Sequence, residues 1–418
     1  TNFYNISASI DRPDVSNYLR RKEVRSAFGA VSLGYDNIYY LDATIRRDIS
    51  SALPAGNNSY WYPSVSFSMV FSDLLKWEPL SFGKLRVGFA QAGSDLDPYQ
   101  TYESFILGDP YKAPDNVTYL PMYLPNTLNN PNVKPALGSS LELGLDAKFL
   151  NDRVGFGVTY YNQQNKNQVL NIDVSGAIGY SNTVINAGNI QNKGIEVSVN
   201  AIPVKSKMFS WNTLINLSRN TSLIKELYPG INTLVLDQNT YSRVSVYLNA
   251  NVNAAFGTLI GNAYARDPKT GKILLDAGNL PMFTENHDFG SVLPDFTGGW
   301  QNTFRFGGFD LSAMIDFQSG GRFFSWTKML AVKSGQAAET AVLNDKGKNV
   351  RDPVADGGGV KVNGISSITG EEVTAYVDAK SYFRTVLGNS VYEEWLYDAT
   401  YIKMREIRLG YTFSKNKY

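Results

Sequence analysis

From Leu141 to Phe149 the chain alternates without a break. Leu141, Leu143, Leu145, Ala147 and Phe149 are apolar, and the residues between them, Glu142, Gly144, Asp146 and Lys148, are polar or glycine. Successive side chains of a strand point to opposite faces, so this stretch is a strand with one apolar face and one charged face. After a turn at Asn151-Asp152 the pattern resumes, with Val154, Phe156, Val158 and Tyr160 against Gly155, Gly157 and Thr159. Strands of the same period are predicted at about 25–35, 38–50, 60–73, 83–93, 138–150, 153–165, 192–203, 208–220, 296–306, 309–319 and 401–413. Most reach ten residues, longer than the five or six usual in globular sheets, and they match the roughly 9–11 residues that a tilted strand needs to cross a bilayer. In the last one, Ile402 and Met404 hold one phase and Ile407, Leu409 and Tyr411 the other. That shift predicts a β-bulge at Arg405-Glu406.

The connections sort by length. Tight links are predicted at Asp36-Asn37, Asn151-Asp152, Lys205-Ser206-Lys207 and Gly307-Gly308, with a nine-residue link at 74–82. Long loops are predicted at about 94–137, 166–191, 221–295 and 320–400, with a shorter one at 51–59. An even number of extra strands belongs inside 221–295, with a hairpin around Asp267–Lys272. Short and long links alternate, so strands running up and down in order place every tight turn on one edge and every long loop on the other. Outer-membrane barrels are built this way.

Rows of Leu, Val, Phe and Tyr on consecutive strands must be covered, because apolar surface left in water costs about 25 cal/mol per Å². A second sheet or lipid around a closed barrel could cover them. The opposite faces carry Asp42, Thr44 and Arg46, then Lys84 and Arg86, then Glu142, Asp146 and Lys148, then Lys403 and Arg405. Both signs are mixed, which suits a hydrated lumen. The expected fold class is all-β, a transmembrane antiparallel β-barrel forming one domain over 1–418. The net charge of +1 gives no reason to expect a nucleic-acid partner. Without cysteine there are no disulfides or thiolate metal sites. No apolar run reaches the length of a transmembrane helix. Thr1-Asn2-Phe3-Tyr4 lacks the form of a signal peptide, so an exported protein is expected to begin upstream.

Six motifs in order then resemble one family. They are Tyr40–Pro54 (YLDATIRRDISSALP), Ser59–Val65 (SYWYPSV), Gly83-Lys84-Leu85-Arg86 through Asp97-Pro98-Tyr99, Asn186–Glu196 (NAGNIQNKGIE), Pro294–Gly299 (PDFTGG) and Tyr401–Ile407 (YIKMREI). Together they resemble the barrel of SusC/RagA-type TonB-dependent transporters. The resemblance implies a 22-stranded outer-membrane barrel with a plug in its pore, working as a nutrient importer driven by TonB. It further implies a SusD-like surface lipoprotein as partner and oligosaccharides or peptides as cargo. About 12 to 14 of the strands are expected here. Plug and closing strands are missing from the pattern, and Ser414–Tyr418 reads as a turn, so the rest of the barrel is expected on another segment or chain.

The residues offer little for catalysis. His287 is the only histidine, which removes His-based triads and His-pair metal sites, and neither an enzyme nor a cofactor is expected. Asp95 and Asp97 open a long loop, and calcium would suit such oxygens, but no further ligands are at loop spacing and a turn is preferred. Arg266–Lys272 lacks the first glycine of a phosphate loop and reads as a turn, and Gly357-Gly358-Gly359 as a flexible loop segment. Arg46, Arg86, Glu142, Asp146, Lys403 and Arg405 are the candidate lumen wall. The candidate ligand or partner residues in loops are Asp95, Asp97, Tyr99, Tyr102 and Trp326. Aromatics such as these could stack on sugar rings or peptide side chains, or pack against one another. A passive porin, an outer-membrane enzyme and a soluble adhesin-like β protein are the alternatives to an importer.

Overall fold

In the computed structural model, which describes residues 19–241, 244–388 and 390–413, one antiparallel sheet runs through the chain. Thr1–Tyr4 and Ser414–Tyr418 lie outside the described residues. The sheet follows eleven strands in sequence order: β1 (Val24–Tyr35), β2 (Tyr39–Ser50), β3 (Ser59–Val70), β4 (Leu80–Ser94), β5 (Ala136–Phe149), β6 (Val154–Asp173), β7 (Asn182–Lys205), β8 (Phe209–Glu226), β9 (Phe296–Phe306), β10 (Phe309–Ser319) and β11 (Tyr401–Tyr411). Thr127-Leu128 adds only a short parallel pairing on β7, so the wall has eleven described strands against the 12 to 14 expected. Among the described residues, β1 pairs only with β2 and β11 only with β10, leaving the wall open at both edges.

The register keeps the two faces apart across the whole sheet. Directly opposed residues share a face, and Leu143 lies opposite Val87 on one side and Tyr160 on the other. Further along, Val158 faces Val197, Val197 faces Leu217, and Leu311 faces Leu409. Because these side chains belong to the bare face of the sheet, they remain uncovered by the chain itself: Leu143 is 44% exposed and Leu409 72%. The turns are sorted as expected. Links at 36–38, 71–79, 150–153, 206–208 and 307–308 share one edge, and the longer ones share the other.

Two of the expected loops take a different form. Most of 166–191 is strand, since β6 has 20 residues and β7 has 24. Asn162 through Gln168 is polar on both faces, so the alternation that marks the lower strand disappears while the ladder continues. The ladder is interrupted at Asn167 and Gly188, both with positive φ. Asn186 secures this point: its Nδ2 donates to the carbonyls of Asn167 (3.0 Å) and Lys134 (2.7 Å), and its Oδ1 accepts from the Lys134 N–H at 2.7 Å. Above it, Ile172, Ile185 and Ala187 form a small core with Ile231 and Leu234.

The links 227–295 and 320–400 fold onto each other as a subdomain. The extra strands of 221–295 do not enter the wall, so β8 pairs directly with β9. Instead, Thr233–Tyr241, Val244–Asn251, Thr258–Tyr264 and Phe283–Ser291 make a separate four-stranded sheet. Asp267–Lys272 is a turn closed by the Asp267 N–H donating to the Lys272 carbonyl at 2.8 Å. Helix α1 (Trp326–Lys333), capped by Ser325 Oγ, packs Met329 and Val332 against Phe289, Val391 and Tyr392. This core is as dry as that of a soluble domain, with Met329, Val391 and Tyr392 fully buried.

Four short segments tie the subdomain to the wall, at 227–232, 292–295, 320–321 and 399–400. Three of them cross at Gly320-Gly321. Asp295 N–H donates to the Ser319 carbonyl (2.9 Å), Gly320 N–H to Thr400 Oγ1 (2.9 Å), and Ala399 N–H to the Gly321 carbonyl (3.0 Å). The two glycines have φ of 75° and 80°, and a Cβ on Gly320 would sit 2.4 Å from an Asp295 carboxylate oxygen. Only glycine accepts both that conformation and that approach.

Candidate functional site

The polar face of the sheet is a connected hydrogen-bonding surface. Arg86 lies opposite Gly144 and passes over it, since a Cβ there would meet the guanidinium carbon at 2.9 Å. Its Nε reaches Asp146 Oδ2 at 2.8 Å, and Nη2 reaches Asp146 Oδ1 and Thr159 Oγ1, each at 3.4 Å. This forked geometry uses the planar guanidinium as a lysine could not. Arg46 Nε donates to Asp48 Oδ1 at 2.7 Å and its Nη2 to Ser26 Oγ at 3.0 Å. Glu142 accepts from Ser140 Oγ at 3.2 Å. The Thr44 and Ser64 hydroxyls pair at 2.6 Å, and Tyr161 OH donates to Asn220 at 2.9 Å.

The predicted bulge is present. Ile315 pairs with Met404 and Met314 with Glu406, so Arg405 is the unpaired extra residue. The slip lets Lys403, Arg405, Glu406 and Arg408 share the polar face while Ile402, Met404, Ile407 and Leu409 share the apolar one. Arg405 Nη2 reaches Asp316 Oδ2 at 2.7 Å, and Lys403 Nζ stands 4.0 Å from the centre of the Tyr401 ring. A concavity of about 600 Å³ brings Arg86, Asp146, Thr159, Glu196, Asp316 and Tyr401 onto one surface. Of the predicted wall residues, Arg46, Glu142, Lys403 and Arg405 lie outside it.

The loop candidates separate into anchored and presented residues. Asp95 is anchored: Lys22 Nζ and Ser50 Oγ both reach it at 2.5 Å, beside a small core of Ala52, Leu53, Leu96, Val133 and Val184. Asp97 lies 3.8 Å from Arg20 Nη1. Among the described residues, no group of three His, Asp or Glu gathers into a metal site. Trp326 packs edge-on against Phe324 (5.1 Å) and Tyr392 (6.2 Å) while lining a cavity of about 400 Å³. Tyr99 and Tyr102 are presented to solvent, 64% and 65% exposed. Tyr99 has φ of 68°, uncommon for a bulky residue and a mark of local strain. His287 is exposed on a subdomain strand and touches the Phe289 ring edge-on at 4.9 Å.

The sequence model of the family described as "TonB dependent receptor-like, beta-barrel" matches residues 1–327, well over half of the chain. The chain belongs to that family. Among its curated relatives are TonB-dependent receptor P3 of Formosa agariphila, 27% identical over 78% of this chain and 34% of the relative, and TonB-dependent receptor SusC of Bacteroides thetaiotaomicron, 26% identical over 51% and 22%. The fold matches the solved RagAB peptide transporter with a TM-score of 0.68 at 19% identity, over 93% of this chain and 41% of that one. The chain thus spans well under half the length of each of these relatives.

Membership of the TonB-dependent receptor barrels assigns the bare face. These are outer-membrane structures, and the exposed rows of Leu, Val, Phe and Ile are the surface that lipid covers. Sequence reading missed the contacts that join the two longest links. Glu393 Oε2 accepts from the Tyr264 N–H (3.0 Å), Arg266 Nη2 reaches Glu393 Oε1 (2.8 Å), and Tyr264 OH donates to Glu394 (3.0 Å). Their partners lie about 130 positions away, so no local spacing could have announced them.

Proposed function

We propose that this chain is barrel wall and loop surface of a TonB-dependent importer of the SusC type, taking up oligosaccharides or peptides. The observation that carries the proposal is the division of labour across one sheet: lipid-facing rows on one face, a paired-charge polar wall on the other, and every long link on a single edge. That edge would face outward, with the loops 94–137 and 320–400 as the docking surface for a SusD-like lipoprotein. Tyr99, Tyr102 and the exposed aromatics Phe105, Tyr111, Tyr119 and Tyr123 support this role, since amphipathic rings serve both sugar stacking and protein contact. The wall charges are largely matched, so Arg86–Asp146 and Arg405–Asp316 would line the path without trapping cargo of either sign.

In this mechanism the wall stays static while TonB, acting on a plug in the pore, opens the path. Direction requires that cargo be held more tightly in one state than in the other. The test is uptake of labelled oligosaccharide and peptide mixtures by cells with and without this protein, each with TonB intact or deleted. Uptake that needs both supports the importer. Uptake that persists without TonB would identify a passive pore.

A further inference from the structure

A cavity of about 1050 Å³ opens in the loop subdomain between α1 and the π-helix Ser381–Leu387. Its charges are unbalanced. Lys333, Arg351, Lys380 and Arg384 line it against a single carboxylate, Asp378. Asp378 is itself engaged, accepting from the Ser381 N–H at 2.8 Å and the Ser381 hydroxyl at 3.0 Å. Arg351 is held in place: Nε donates to the Thr340 carbonyl at 2.6 Å, and Nη2 to Thr340 Oγ1 at 2.5 Å and to the Gly335 carbonyl. Lys380 and Arg384 are four residues apart and exposed, and among the described residues neither is in an ion pair. Four other subdomain cations are matched, among them Arg266 with Glu393 and Lys361 with Asp345.

Like charges four apart oppose a helical backbone, so this arrangement does nothing for the fold. The backbone that presents it is unusual as well, because π-helices are rare and concentrate at functional sites. Leu330 and Phe383 supply apolar lining between the cations. We infer that this cavity binds a short carboxylate-bearing chain, with Lys380 and Arg384 receiving the carboxylates and Leu330 and Phe383 packing against C–H groups between them. An oligosaccharide of uronic acids and an acidic peptide both carry this chemistry.

The test is calorimetric binding to the intact detergent-purified protein, using hexagalacturonate, hexaglutamate and neutral maltohexaose as probes. At least one acidic probe should bind, and which one does identifies the source. Affinity should fall as sodium chloride rises, since exposed charges are screened within about 8 Å at physiological salt. The double variant K380Q/R384Q should lose about tenfold or more in affinity, the scale of one charge-assisted contact. Its melting temperature should be unchanged, because neither side chain is in an ion pair among the described residues. Equal binding of maltohexaose, salt-independent binding, or an undiminished double variant would overturn the inference, as would failure of both acidic probes. Binding is read without transport, so a failed importer reading would leave this result standing.

Discussion

Arg405 is the one residue of β11 without a partner across the ladder, and its guanidinium meets Asp316 on β10 at 2.7 Å. The bulge absorbs this extra residue and so keeps both halves of β11 in phase with the membrane. Inserting one alanine between Met404 and Arg405 would put the two halves out of phase, moving either Lys403 or Arg405 to the lipid face. A lysine or arginine near the bilayer midplane costs about 2–4 kcal/mol. The expected outcome is a lower folded fraction, read as loss of heat-modifiable mobility in electrophoresis. Arg405→Gln, which keeps the bulge, should fold normally.

Tyr99→Ala with Tyr102→Ala should weaken capture of lipoprotein or cargo by about tenfold, the usual effect of removing aromatic anchors at an interface. Co-purification and uptake would measure it. Unchanged values in both would remove these tyrosines from the docking surface.

Glu393→Gln should loosen the subdomain, because it weakens the grip on Arg266 and on the Tyr264 backbone. A charge-assisted contact of this kind is worth about 1–3 kcal/mol. Limited proteolysis should cut within 227–295 and 320–400 sooner, while the wall strands stay protected. Equal cleavage rates would show that the apolar core alone holds the two links together.

High pH should open the same subdomain. Burial raises the Tyr392 hydroxyl to about 12, and burial together with the neighbouring Tyr382 and Glu394 raises that of Tyr264. A raised value in the folded state means that the neutral phenol is favoured there. The stabilisation is therefore complete below the ordinary tyrosine value near 10 and is lost as pH climbs from there towards 12. Tyrosinate absorbance rising together with protease sensitivity over that window would bear this out. Ordinary titration of these two groups near pH 10 in the intact protein would contradict it.

Gly320→Ala should cost about 1–3 kcal/mol through its left-handed backbone alone, with the Asp295 carboxylate forced aside as well. The melting temperature should fall. A double variant with Asp295→Ala should recover only the part due to crowding, which separates the two causes.

The wall was readable from sequence because lipid and water impose opposite demands on alternate residues. Leu141–Phe149 could satisfy both only as a strand in this register, and the phase change between Met404 and Ile407 could be accommodated only by a bulge. Legibility ended where lipid ends. In Asn162–Gln168 both faces meet water, so the strand continued without a signature. The loop subdomain was hidden for another reason: its core joins Tyr264 to Tyr392 and Phe289 to Met329, and contacts between segments so distant leave no periodic trace. Tyr99 and Tyr102 could be picked out as aromatics in a loop, whereas the anchoring of Asp95 by Ser50 and Lys22 depends on three segments meeting at the rim.

β6 and β7 pair along 20 and 24 residues with a single interruption, about 65–80 Å of strand at 3.3 Å per residue, against an apolar band of about 25 Å. Such a pair behaves as a mast stepped in the membrane. Its foot shares the shear of the wall, and its head leans on Ile231 and Leu234 of the loop subdomain. The far half of the pair therefore stands clear of any apolar band of that height, and the loop subdomain rests on a post rooted in the wall rather than on the rim.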